Sequence, residues 1–351
     1  MKRNEKIIII LCLMAVIAAG ALHFTGANAV ITFSVAGVAL ALIAIIVGDG
    51  TEQLGSRLGP GATGILQSSL ASLPELFVSI FALRAGLAHV VQTALVGSIL
   101  GNSLLVFGLA LFCGGLKNGT QKFKTGPPRM IATLMLLAVS ALILPTLTTT
   151  LHTPGEPHIN NLDIFVAIVL LVLYASSIYF SVRGDPALSN QEADIGHAEW
   201  SLGLTIGVLA GAAAGAAAVS DWFVEALTPA MASLGISESF AGLVIVAIAG
   251  NAIENLIGVQ LAWRNQMDYA VSIILNSSLQ IALGLFPILL LLSFFLGGSI
   301  LTFVLSPILV VSLLLAAIVS AFIVFDGESI WVEGLALIGL YCIIAAAFWW
   351  G

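Results

Sequence analysis

Gln67-Ser68-Ser69-Leu70-Ala71-Ser72-Leu73-Pro74-Glu75-Leu76-Phe77-Val78-Ser79-Ile80 sets a carboxylate, a proline and five small hydroxyl or amide side chains inside an otherwise apolar segment. An ionisable group at membrane depth is costly, so it marks a functional site by default. Half a chain later, Ala249-Gly250-Asn251-Ala252-Ile253-Glu254-Asn255 repeats the arrangement. The remaining sequence is organised around this pair.

The chain has 351 residues, 60% of them hydrophobic and only 8% charged, whereas soluble domains are about a quarter charged. Mean hydropathy is +1.13. No polar block is long enough for a separate soluble domain, which leaves an all-α polytopic membrane protein as the fold class. No basic patch or Gly-rich phosphate loop supports nucleic-acid or nucleotide binding. Cys12, Cys113 and Cys342 are widely spaced, lack a neighbouring Cys or His, and read as small buried hydrophobes.

Apolar runs long enough to cross a bilayer fall at 7–25, 29–48, 62–84, 88–113, 130–150, 161–182, 199–220, 239–262, 268–293, 300–323 and 330–350. This gives about eleven transmembrane helices. Short links separate them, among them Gly48-Asp49-Gly50, Gly59-Pro60-Gly61 and Gly126-Pro127-Pro128, with the longest at about 183–198. With a cytoplasmic N-terminus, Lys2, Arg3, Lys6, Arg57, Lys117, Lys122, Lys124, Arg129, Arg183 and Arg264 all lie inside, and only Arg84 lies outside. The positive-inside rule therefore predicts N-in, C-out. Ala27-Asn28-Ala29 resembles a signal-peptidase site, but the preceding run is long for a signal core and another span follows at once. The first helix is expected to be retained.

Aligning Glu75 with Glu254 exposes an internal repeat. Each follows a helix-weakening pair, Ala71-Ser72 or Gly250-Asn251, and each is followed by a polar cluster in the next span. These clusters are Gly97-Ser98-Ile99-Leu100-Gly101-Asn102 and Asn276-Ser277-Ser278-Leu279-Gln280, and the separation is 23 positions from Glu75 to Ser98 and from Glu254 to Ser277. In the N-in arrangement the two spans run in opposite directions. Two inverted five-helix repeats plus an extra N-terminal helix follow, an architecture of secondary transporters whose substrate sites lie on interrupted helices at the repeat interface. The boundaries are 1–28 for the first helix, 29–182 and 199–351 for the repeats, and 183–198 for a cytoplasmic linker. Pro74 and Gly250 interrupt their helices and are expected to free carbonyl oxygens into a polar cavity.

Of the 18 acidic residues, Glu75 and Glu254 alone are expected deep within a span. With the surrounding hydroxyls and amides they form an all-oxygen set, which suits hard cations and above all Ca²⁺. The absence of Cys and His from the set argues against Zn²⁺ or Cu⁺. Two glutamates can neutralise one divalent ion; emptied, the pair faces desolvation and like-charge repulsion that protons would relieve. One site with two alternative occupants is the basis of antiport. The hydroxyls and amides have a second reading, because such groups also hold membrane helices together.

At these motifs the sequence resembles the calcium/proton exchangers of the cation/calcium exchanger superfamily, over roughly Thr32 to Gly351. The resemblance rests on Gly250-Asn251-Ala252-Ile253-Glu254 and Asn276-Ser277-Ser278-Leu279-Gln280-Ile281-Ala282. It also rests on Ser79-Ile80-Phe81-Ala82-Leu83-Arg84-Ala85-Gly86 and the Gly97–Asn102 cluster. It implies a Ca²⁺/H⁺ antiporter of a prokaryotic-type cell (inner) membrane, exporting Ca²⁺ by alternating access, with no cofactor beyond the transported ions. The family's essential acids fall on Glu75 and Glu254, its repeat asparagine on Asn251, and its polar positions on Ser98, Asn102, Ser277 and Gln280, with Ser72 and Asn255 flanking. Ala71-Ser72-Leu73-Pro74-Glu75 departs from the usual Gly-Asn-Ala-x-Glu and looks more like the sodium/calcium exchanger version. Asn255 stands where His is common, Asn276 where Gly is common, and the linker is less acidic than usual. The coupling ion therefore stays open between H⁺, which is favoured, and Na⁺, leaving Na⁺/Ca²⁺ or Na⁺/H⁺ exchange as the alternative. An intramembrane enzyme is disfavoured because no nucleophile has a base beside it and no His pair could hold a metal; a passive channel is the other remote reading.

Overall fold

Apolar backbone in a bilayer must satisfy its own N–H and C=O groups, and this chain does so almost wholly with helices. The computed structural model describes residues 3–58, 70, 72–183 and 200–349, without the side chains at 3, 4, 56, 58, 180–183 and 252–255. Gln67-Ser68-Ser69, Ala71, the Gly59-Pro60-Gly61 link and the linker after Arg183 lie outside the described residues. The helices are α1 (Arg3–Phe24), α2 (Ala29–Leu58), α3 (Leu73–Arg84), α4 (Ala88–Asn118), α5 (Gly126–Thr150) and α6 (Ile159–Arg183). After the linker come α7 (Leu202–Leu234), α8 (Glu238–Gly250), α9 (Ala252–Trp263), α10 (Met267–Ser293), α11 (Pro307–Asp326) and α12 (Trp331–Trp349). Among the described residues nine are long and apolar enough to cross a membrane; α3, α8 and α9 are shorter and surround the site.

Several predicted boundaries move. Gly48-Asp49-Gly50 is not a link: α2 runs through it to Leu58, and Gly50 makes room for Leu209 of α7, whose Cδ2 lies 2.8 Å from where a Cβ would stand. The span expected at 199–220 continues to Leu234, where Gly235 takes a left-handed conformation at φ 65°. The span expected at 239–262 is two helices, broken at Asn251 with φ −100° and ψ 15°. Residues 300–306 are not helical, and α11 starts only at Pro307.

The ends of the helices fall into two sets. At one end strand β1 (Gln121–Lys122) pairs antiparallel with β2 (Glu328–Ser329), Lys124 N–H donates to Asp268 at 2.6 Å, and Arg129 reaches Phe325 O. Arg57 and Gln53 hold the backbone of Trp200 at this same end. At the other end Gln92 donates to Thr302 O at 2.9 Å, Ser237 to Phe348 O at 2.7 Å, and His23 pairs with Glu225 at 3.5 Å. Lys117, Lys122, Lys124, Arg129, Arg57 and Arg264 belong to the first end and Arg84 to the second, so the links alternate as the basic residues predict.

The α3–turn–α4 unit recurs as α9–turn–α10 at a constant offset. Leu73 and Ala252 open the first helices, Arg84 and Trp263 close them, and Ala88 and Met267 open the second ones. Gly86 and Asn265, the left-handed residues of the two turns at φ 85° and 61°, occupy matching positions. Each second helix then loosens into a π-helical stretch, Gly101–Val106 in α4 and Ile281–Leu285 in α10. Such bulges favour functional sites. Elsewhere, α2 packs extensively along α7, and α1 lies against both.

Candidate ion-binding site

Glu75 lies in the first turn of α3 because Ser72 (φ −84°, ψ 7°) is not helical and Pro74, which has no N–H to lose, occupies the opening turn. A carboxylate is favoured at a helix N-terminus. Glu254 holds the same place in the first turn of α9, after the break at Asn251; its side chain and that of Asn255 lie outside the described residues. Next to the two interruptions, Ser72 O accepts from Leu76 N at 2.9 Å, and Ala247 O accepts from Asn251 N at 3.2 Å.

A continuous polar chain crosses between the halves. Glu75 Oε1 accepts from Ser98 Oγ at 2.8 Å and from Asn251 Nδ2 at 2.6 Å. Asn251 Oδ1 accepts from Asn102 Nδ2 at 3.2 Å, and the same amide of Asn102 donates to Ser277 Oγ at 3.0 Å. Gln280 Nε2 donates to Ser72 Oγ at 3.3 Å. The structure thus joins Glu75, Ser98, Asn251, Asn102 and Ser277 in one network and pairs Ser72 with Gln280 beside it. Ser98, Asn102 and Asn251 are all at most 3% exposed.

This network is rich in acceptors. Asn251 Nδ2 has two protons but lies within 2.9 Å of three oxygens: Glu75 Oε1, Ser98 Oγ and Ala247 O. An amide shared among too many oxygens is a weak stand-in for a cation, which would satisfy them together. A small cavity reaches Glu75 and Ser98 between α2, α3, α4, α7 and α8, with Leu40, Phe223 and Gly250 on its wall. Gly250 is required here: a Cβ would stand 2.6 Å from Glu75 Cγ.

Three further residues belong to the surroundings although the sequence reading passed over them. Ser103 and Ser278, next to Asn102 and Ser277 in sequence, hydrogen-bond each other at 3.0 Å, and Ser320 of α11 donates to Ser103 O at 3.1 Å. Their signal was available, as small hydroxyls inside apolar helices. Asp163, near the start of α6, is a further buried carboxylate that the sequence did not single out: it is 1% exposed, and its Oδ2 accepts from Phe303 N at 3.2 Å. Four residues into α6, it lies away from the Glu75 network. Among the described residues no group of His, Cys, Asp and Glu is clustered to hold a transition metal.

The sequence profile of the family described as sodium/calcium exchanger protein matches residues 28–183 and 204–350. A Ca²⁺/H⁺ antiporter of Synechocystis is 34% identical over 368 aligned positions, covering 99% of this chain and 98% of its own. The Ca²⁺/H⁺ antiporter ChaA of Bacillus subtilis is 35% identical over 325, covering 91% of this chain and 92% of its own. The solved structure of native YfkE superposes with a TM-score of 0.84 at 31% identity, over 98% of this chain and 100% of that one. Profile, relatives and fold agree over both halves, and the chain belongs to the sodium/calcium exchanger protein family.

Proposed function

We propose that the protein is a secondary active antiporter that exchanges Ca²⁺ for H⁺, with Glu75 and Glu254 binding the metal ion and protons in turn. The observation that carries this reading is the half-buried Glu75 carboxylate in a chain of oxygens drawn from both halves. Ser98, Asn102, Asn251 and Ser277 supply the neutral ligands; Ser72, Gln280 and Asn255 flank them. Near-full-length relatives named Ca²⁺/H⁺ antiporters support the choice of ions. About eleven spans, an N-terminal helix followed by two inverted five-helix halves, are supported by the matched α3–α4 and α9–α10 units, which end at opposite faces. The basic end is cytoplasmic on the positive-inside rule, placing the N-terminus inside and the C-terminus outside, with Ca²⁺ export driven by protons that enter down their gradient.

The chemistry follows from mutual exclusion. A divalent ion between two carboxylates leaves little net charge at the midplane; without it, the carboxylates must be neutralised by protons before the empty site can reorient. The ion and the protons use the same oxygens, so neither crosses unless the other returns. In everted vesicles with acidic interiors, Ca²⁺ uptake is expected, and lowering the outside pH should raise the half-saturating Ca²⁺ concentration while leaving the maximal rate unchanged. A fall in maximal rate alone would mean that protons act elsewhere. The Ala71-Ser72-Leu73-Pro74-Glu75 variant motif makes Na⁺ the second reading; a sodium gradient replacing the proton gradient in the same vesicles decides between them.

A further inference from the structure

The two glutamate-bearing helices are each short, twelve residues long, and each begins at the site and ends at a membrane face. At its far end each meets the opposite half of the chain, at matching positions. Leu83 O, in the last turn of α3, accepts from Gly86 N of its own turn at 3.1 Å and also from Ser299 N at 3.0 Å, and Ser299 belongs to the segment that follows α10. Ala262 O, the same position in α9, accepts from Asn265 N of its own turn at 3.0 Å and also from Gln121 Nε2 at 3.1 Å and Asn118 Nδ2 at 3.3 Å, from the end of α4 and the segment that follows it. Both contacts need a glycine. A Cβ on Gly298 would stand 2.1 Å from Leu83 O, and one on Gly114 would stand 2.2 Å from the Gln121 amide oxygen. Gln121 is 2% exposed.

We propose that Gln121 and Ser299 are reciprocal positioning residues for the ion site: each half of the chain caps, from the opposite membrane face, the helix that carries the other half's essential carboxylate. A carbonyl oxygen has two lone pairs, so one that closes its own turn can still accept a second bond, and a donor fixed to another body sets the height and tilt of the whole rod. In a helix of about three turns, a shift at the cap is carried to the carboxylate at the other end, because a packed helix moves as a unit. Glu75 is thereby tied to the α10–α11 segment and Glu254 to the α4–α5 segment, so the two carboxylates keep their separation only while both caps hold.

The inference rests on the antiport reading, and purified full-length protein in proteoliposomes tests the two separately. Gln121→Met keeps the length of the side chain and removes its donor; Ser299→Pro removes the other cap's N–H. Each is expected to raise the half-saturating Ca²⁺ concentration about fivefold, the scale of one hydrogen bond lost from a carbonyl that keeps its bond to its own turn, with the maximal rate per folded protein held. Gln92→Met serves as the control, because Gln92 holds Thr302 O and Val304 O in the same outer segment without touching α3. Half-saturation there should not move. Lower thermal stability or yield with an unchanged half-saturation in Gln121→Met would reduce the cap to a structural contact and overturn the proposal, as would an equal shift in Gln92→Met. Absence of Ca²⁺ uptake by the unmodified protein would instead sink the antiport reading.

Discussion

Glu75→Gln is expected to abolish Ca²⁺ uptake driven by a proton gradient, with a loss of at least about a hundredfold, since removing one partner of a buried charge pair costs about 3–5 kcal/mol. The substitution keeps the shape of the side chain. Its amide oxygen can still accept from Ser98 and Asn251, which hold Glu75 Oε1 at 2.8 Å and 2.6 Å. What disappears is the negative charge that neutralises a dehydrated divalent ion and the acid that carries a proton back. Glu254→Gln is expected to behave alike, from the matching position in α9. The measurement is initial ⁴⁵Ca²⁺ uptake into acid-loaded everted vesicles, normalised to protein in the membrane, with circular dichroism of the purified variant to show an intact helical fold. Uptake above a tenth of the unmodified rate in Glu75→Gln would remove Glu75 from the ion path.

The halves of this site differed in how visible they were in the chain. Glu75 and Ser98 were each legible as polar residues in apolar helices, but their spacing served only to align the repeats; a helix, a tight turn and a second helix return the chain to the same depth after 23 positions, and there the 2.8 Å bond forms. The bond from Asn251 to Glu75 spans 176 positions and had no local signature; only the alignment of Glu75 with Glu254 pointed across the halves. Ser103 and Ser278 were passed over because a serine in an apolar helix more often binds its own backbone or a neighbour than a ligand.

Helix ends were misread for a physical reason. Hydropathy reports where the bilayer stops, whereas α2 and α7 continue past Asp49 and Asp221 with their backbone bonds intact. Residues 300–306 failed in the opposite sense. They are apolar enough to read as a span, yet their backbone is not helical and is satisfied from outside. The N–H groups of Leu301, Phe303 and Leu305 go to Ser293, Asp163 and Thr146, and Gln92 takes the carbonyls of Thr302 and Val304. That alternation has the two-residue period of a strand, and it explains the buried Asp163 as an anchor for this segment.

The second large effect is expected at Gly97, where α4 and α8 meet backbone to backbone beside the site. A Cβ on Gly97 would stand 2.2 Å from Leu243 O and 2.5 Å from Leu243 Cα, and one on Gly242 would stand 2.7 Å from Val90 O. Small residues let membrane helices approach this closely, and dispersion over the contact replaces the hydrophobic drive that lipid does not supply. Overpacking costs about 1–3 kcal/mol where side chains can yield; a carbonyl and a Cα cannot turn aside, so Gly97→Ala belongs at or above the upper end. The helices must separate one residue from Ser98, and Asn251, which closes α8, moves with them away from Glu75. The expected result is a lower melting temperature in detergent together with a loss of uptake beyond about tenfold. Gly211→Ala, on a face of α7 with nothing within 4 Å of the added carbon, should leave both unchanged. If Gly97→Ala melted and transported like Gly211→Ala, the close approach of α4 and α8 could not be what holds Asn251 against Glu75.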